Sequence, residues 1–132
     1  MNYLLDTHTF LWSLFSPKLL SLSAIQEITS GGNNVFVSVV SFWEVSLKYA
    51  LGKLVLEGVE PDDLPDSAKQ MGIDTLSIGE SDAASFHKLP RLAHKDPFDR
   101  LLIWQAIRQK MILISKDAQF DWYGKFGLKR LW

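Results

Sequence analysis

The 132-residue chain contains no cysteine. That excludes a disulfide framework, thiol catalysis and a Cys-ligated zinc, and it suits a reducing compartment. No apolar run approaches the roughly 20 residues of a membrane-spanning helix. The opening Met1-Asn2-Tyr3-Leu4-Leu5-Asp6 has neither the basic start nor the small-residue cleavage site of a secretory leader. The expectation is a cytoplasmic protein with no membrane attachment. Positive charge is not in excess either: 14 Lys and Arg stand against 15 Asp and Glu. A nucleic acid would therefore have to be gripped by a local basic rim, against the field of the protein's own acids. Glycine-rich phosphate loops are missing as well. Gly31-Gly32 lacks the Lys-Ser/Thr of a P-loop, and no G-x-G-x-x-G occurs. His8, His87 and His94 lack the spacing of a metal-binding H-E-x-x-H, and no Ser-His-Asp set stands out. Taken singly, these histidines read as surface or supporting groups. His8, two residues from Asp6, is the one to follow.

What the chain does have is an ordinary core-forming composition, 47% apolar and 22% charged, in a length that suits one domain spanning residues 1–132. Short apolar runs at 2–5, 35–40, 73–78, 111–115 and 128–131 read as strands. Between them lie helical patterns: from Asp6 to Pro17, over Ile25 and Ile28, from Ser41 to Gly52, from Gly79 to Leu89, and from Pro97 to Lys110. A modest helix within 53–72 and a helical turn from Asp117 complete the set. Strands alternating with helices imply right-handed crossovers, and hence a three-layer α/β/α sandwich around a parallel, mostly five-stranded sheet.

The acids carry the chemistry. Asp6, Glu44 and Asp117 each follow a strand or open a helix. Asp96 and Asp99 flank Pro97 at the head of an apolar run. Each has a plain structural explanation: Asp96 as an N-cap with Pro97 at the first helical position, Ser41-x-x-Glu44 as a capping box with Glu44 also paired to Lys48 one turn on, and Asp6 and Asp117 as caps. Jointly they mean more, because a parallel sheet places strand ends and helix starts on one edge, where ligands bind. Asp99 must reach that edge by another route, since its helix precedes a strand. Converging carboxylates repel one another, and a divalent cation relieves the repulsion. Hard oxygen donors favour Mg²⁺, with Mn²⁺ as an alternative, over zinc. Metal-assisted hydrolysis of a phosphodiester then needs no protein nucleophile. Lys95, Arg100 and Lys116 are the nearest candidates for phosphate contact, with Lys48 and Arg91 further off.

Four segments together resemble a known family: Leu4-Leu5-Asp6-Thr7-His8; Ser38-Val39-Val40-Ser41-Phe42-Trp43-Glu44; His94-Lys95-Asp96-Pro97-Phe98-Asp99-Arg100-Leu101-Leu102; and Leu113-Ile114-Ser115-Lys116-Asp117. In order and spacing the chain resembles the PIN-domain ribonucleases, and especially the VapC-type toxins of toxin–antitoxin pairs. The resemblance implies Mg²⁺-dependent endonucleolytic cleavage of RNA, frequent homodimerisation, and silencing by a cognate antitoxin protein. It implies that Asp6, Glu44, Asp99 and Asp117 form the acidic metal-binding quartet, with Asp6 and Asp99 as principal ligands. Asp96 and Ser41 would be auxiliary. Ser115-Lys116 before Asp117 departs from the Thr with Asn or Arg common in relatives, which bears on phosphate contact. Two other readings remain at this point: an aspartyl-phosphate phosphotransfer domain, and a non-catalytic α/β interaction module whose acids are only caps.

Overall fold

The computed structural model describes residues 1–132 and contains five strands, all parallel, in the order β3-β2-β1-β4-β5. Their ranges are β1 Asn2–Leu5, β2 Asn34–Ser38, β3 Asp74–Leu76, β4 Ile112–Ile114 and β5 Lys129–Leu131. The helices are α1 Thr7–Phe15, α2 Leu22–Thr29, α3 Val39–Ala50, α4 Leu64–Gln70, α5 Glu80–Ser85 and α6 Pro97–Gln109. Short 3-10 turns add Pro17–Leu19, Pro61–Asp63, Phe86–Lys88 and Ala118–Phe126. This is the expected α/β/α sandwich.

The period-2 alternation of β1 separates the two cores. Tyr3 and Leu5 pack on one face with Phe10, Ala24, Val45, Leu64 and Ala68. Leu4 faces the other way, among Leu102, Ile103, Ala106, Phe120 and Tyr123. Leu4 and Leu5 are both fully buried, so the central strand reads as a continuous apolar run, as parallel strands covered on both faces do.

The chain leaves β1 toward β2 on one side, and returns after β3 to place β4 on the other side of β1. The β1/β4 boundary is therefore the topological switch point, where a crevice opens at the carboxyl ends of the strands. Helix α6 reaches that edge by geometry. Lys110, in the left-handed conformation at φ 56°, ends the helix and Ile112 starts β4, so the helix terminates at the foot of the strand. Its 13 residues span about 20 Å at 1.5 Å per residue, and its first turn lies back at the carboxyl edge.

One of the boundaries that differ from the sequence expectation bears on the site. Strand β2 ends at Ser38, and Val39 and Val40 already belong to α3. Ser38 is the N-cap: its Oγ accepts from the Val40 N–H at 3.1 Å and donates to the buried Gln105 Oε1 at 2.6 Å. The Ser41-x-x-Glu44 spacing is thus not a capping box. Both residues sit inside the helix, buried on one face. Two β-branched valines mimic strand in sequence, but the Ser38 cap and its tie to α6 determine where the helix starts. Ser38→Ala should lower unfolding free energy in urea by about 2 kcal/mol, combining a lost cap with a stranded Gln105 oxygen.

Candidate metal centre

Four elements deliver the five acids to the carboxyl edge. Asp6 follows β1 and caps α1, its Oδ1 accepting from the Thr9 N–H at 2.8 Å. Asp117 follows β4 and caps the 118–126 turn through Gln119 N–H at 2.9 Å. Ser115 stands between the two: its Oγ accepts from the Asp117 N–H at 3.1 Å, and its hydroxyl is near enough to Asp6 to favour the carboxylate. Glu44 arrives from the second turn of α3. Asp96 caps α6, its Oδ1 accepting from the Asp99 N–H at 3.0 Å, with Pro97 at the first position. That cap holds the first turn and aims Asp99 inward, where Asp96, Glu44 and Asp6 all act on its charge.

Burial pushes the Asp6 carboxyl above the usual carboxylate range, with hydrogen bonding to Ser115 and Thr9 and the charge of His8 opposing. Asp99 is raised to about 6, again chiefly by burial. Its bond to His94 opposes that shift, and the charges of Asp96, Glu44 and Asp6 add to it. Acids that were only caps would be stabilised as anions. These two are held where ionisation is costly, and a bound cation would offset that cost.

Three groups outside the quartet shape the centre. His94 Nε2 lies 2.9 Å from Asp99 Oδ2. Its ring stands edge-on to Phe120 at 5.2 Å, and its ligating nitrogen and a carboxylate oxygen each from Asp99 and Asp117 form a set within 4.8 Å of one another. Thr7 Oγ1 lies 2.6 Å from Glu44 Oε1 and 2.9 Å from Ser41 Oγ. The Thr7 proton goes to the carboxylate, and Ser41 is bound to the back of this pair. Lys48 pairs with the other Glu44 oxygen. The sequence held a signal for each: Lys48 is four residues after Glu44, Thr7 follows Asp6, and His94 stands two before Asp96. His8, two residues from Asp6, is exposed, tilts against Trp12 with 5.8 Å between ring centroids, and acts on Asp6 through its charge.

The three cations expected to contact phosphate divide. Lys95 and Lys116 are exposed on the connector and on the loop after β4. Arg100 is engaged within the protein. Its guanidinium donates to the carbonyls of Pro90 (3.1 Å) and Leu89 (3.3 Å) and to Tyr123 Oη (3.1 Å), and lies over the Phe86 ring at 5.3 Å. It ties down the connector that carries His94. Arg100→Lys loses the planar fork, and should cost about 1–3 kcal/mol while raising hydrogen exchange in residues 90–95.

The acids fit a hard divalent ion. Asp6, Asp99 and Asp117 offer oxygens around the switch-point crevice, and no cysteine competes. His94 beside them is compatible with Mn²⁺ as well as Mg²⁺.

Comparison with known proteins agrees with this fold. The PIN domain family model matches residues 3–125. Among solved structures, the chain resembles VapBC2 from Rickettsia felis, bound to a DNA fragment from its promoter, with TM-score 0.66 and 12% identity over 99% of this chain and 98% of that one. VapBC-1 from nontypeable Haemophilus influenzae gives TM-score 0.64 and 15% identity over 99% and 97%. A toxin–antitoxin complex from Klebsiella pneumoniae gives TM-score 0.55 and 16% identity over 90% and 89%. At these identities the structural likeness speaks to the fold. No curated protein sequence matches the chain significantly. The family-model match covers nearly the whole chain, and the chain belongs to the PIN domain family.

Proposed function

We propose that this PIN-domain protein is a divalent-metal-dependent endoribonuclease and the toxin half of a toxin–antitoxin pair. The observation that carries the proposal is the convergence of Asp6, Glu44, Asp99 and Asp117 on the switch-point edge, with Asp99 kept partly protonated by burial and by its acidic neighbours. RNA is the substrate class implied by the resemblance to the PIN-domain ribonucleases. The solved neighbours described as toxin–antitoxin complexes support the antitoxin partner.

In this reading Asp6, Asp99 and Asp117 hold one Mg²⁺ or Mn²⁺. Such an ion supplies Lewis acidity to a phosphodiester and to an attacking water. The protein does the rest. Pro97 and the Asp96 cap keep the Asp99 turn rigid, Ser115 links the Asp6 and Asp117 loops, and Thr7 with Ser41 keeps Glu44 oriented. Lys95 and Lys116 draw the RNA backbone toward the acids.

We also propose that the protein works as a homodimer. Trp43, Leu47 and Leu51 recur every fourth residue along α3 and its end, with exposures of 61%, 39% and 59%. An apolar stripe of this kind suits a helix-to-helix contact, and sedimentation of the purified chain measures it.

The test of activity is direct. The purified protein should cleave single-stranded RNA with Mg²⁺ or Mn²⁺, stop on addition of EDTA, and spare DNA of the same sequence. Cleavage in the presence of EDTA would sink the reading.

A further inference from the structure

Glu44 is the acid with the least freedom. One carboxylate oxygen takes the Thr7 proton at 2.6 Å, and the other is bound by Lys48. Lys48 does more than close a turn-to-turn pair on α3. It lies within electrostatic reach of Asp96 and Asp99 as well as Glu44. Its ammonium therefore stands on the Glu44 flank, facing the N-terminus of α6. The opposite flank is different. There Asp99, Asp117 and His94 bring their ligating atoms within 4.8 Å of one another, with no Lys or Arg bonded to any of them and Arg130 acting on Asp117 through its charge alone.

Two-metal phosphodiesterases place ions about 3.5–4 Å apart, so that attacking and leaving oxygens are both stabilised. A second ion on the Glu44 flank of this site would have to displace the Lys48 ammonium and the Thr7 hydroxyl together. It would also face the repulsion of a charge that is already paired. We propose that Lys48 is a built-in second cation: its ammonium fills the position that a second metal would take, and the centre binds a single divalent ion. This inference rests on the metal-centre reading above and extends it to stoichiometry and to a named side chain.

The assignment has a chemical consequence. An ammonium has three donors; Glu44 uses one, and the others are free for a non-bridging or leaving oxygen of the phosphodiester. Lys48 thus provides fixed positive charge at the end of the site away from the Asp99–Asp117 ion, without the need to recruit it from solution.

Calorimetric titration of the whole protein with Mn²⁺, supported by counting bound Mn²⁺ by electron paramagnetic resonance, tests the proposal without measuring activity. The wild-type protein is expected to bind one ion per chain. Lys48→Gln, which removes the charge, should bind two, and Lys48→Arg, which keeps it, should bind one. Two ions bound by the wild-type protein overturn the inference while leaving the metal centre intact. One ion bound by Lys48→Gln overturns it as well, because something other than Lys48 then excludes the second. No Mn²⁺ bound by the wild-type protein overturns the metal centre and the inference together. Circular dichroism of each variant establishes that it is folded, and Lys48→Met, a second variant without the charge and also expected to bind two ions, takes the place of Lys48→Gln if that variant is not.

Discussion

Asp99→Asn should lower RNA cleavage by on the order of 10³-fold and at the same time make the metal-free protein more stable at pH 7. The two effects have one cause. In the folded protein Asp99 titrates near 6, because it is buried and surrounded by Asp96, Glu44 and Asp6, with His94 only partly compensating. Its ordinary value is 3.8. At neutral pH the folded state therefore carries a charge that it accommodates less well than the unfolded chain does. A gap of this size corresponds to up to about 3 kcal/mol at about 1.4 kcal/mol per pH unit. Asparagine removes the charge and still accepts a hydrogen bond from His94, although it loses the favourable negative charge in the first turn of α6. The net gain expected is about 1–2 kcal/mol, read from urea unfolding with EDTA present. A residue that only caps or packs would lose stability along with activity. A gain of stability with loss of cleavage is the pattern of a residue held in place for function. Asp6→Asn should behave the same way, since asparagine caps helices as well as aspartate and Asp6 is also raised by burial. Equal destabilisation in both variants would remove the electrostatic argument for the site.

The second large effect is a pH-dependent response to metal. At pH 7.5, Mn²⁺ at about a hundred times its Kd should stabilise the fold by about 2.7 kcal/mol, or on the order of 10 °C in Tm for a chain of this length. The shift should shrink as the pH falls through 6, and the titration of Asp99 alone should bring it to about half by pH 5. The sign follows from linkage. Asp99 has a folded-state value raised to about 6, so its contribution to stability is complete below about pH 4 and is lost as the pH rises through 6. Asp6 is shifted in the same direction. The metal-free protein should thus weaken over that interval as far as these groups are concerned. The ion needs the deprotonated carboxylates, so its binding strengthens over the same interval. Differential scanning fluorimetry at pH 5, 6 and 7.5, with Mn²⁺ or with EDTA, measures both trends. A metal-induced shift of equal size at pH 5 and 7.5 would mean that the ion binds elsewhere.

Asp99 needs no special route to the carboxyl edge, although its helix precedes a strand. In a parallel sheet every helix runs back against the strands, so the start of the helix before β4 lies on the same edge as the end of β1. Ser41-x-x-Glu44 erred in the other direction. The spacing of a capping box was present, but Ser38 takes the cap three residues earlier because its hydroxyl serves both the Val40 N–H and Gln105. Gln105 is 67 positions away, and no local pattern reports such a partner.

The division of labour follows from the range of the forces. The chain's own pattern determined the strands, their alternation with helices, the parallel sheet they form, and the acids that end at one edge, because hydrophobic periodicity and helix caps act over a few residues. The partners of those acids were decided only in three dimensions. His94 meets Asp99, Ser115 meets Asp6 and Thr7 meets Glu44 through the β1–β4 pairing and the α3 start, across separations that sequence does not encode locally. The same holds for Arg100, which local charge placed on a phosphate rim and which tertiary packing binds to Leu89, Pro90 and Tyr123. Desolvation is the underlying reason: whether a carboxylate is a cap or a strained anion depends on which elements close over it, and that is a property of the packed fold.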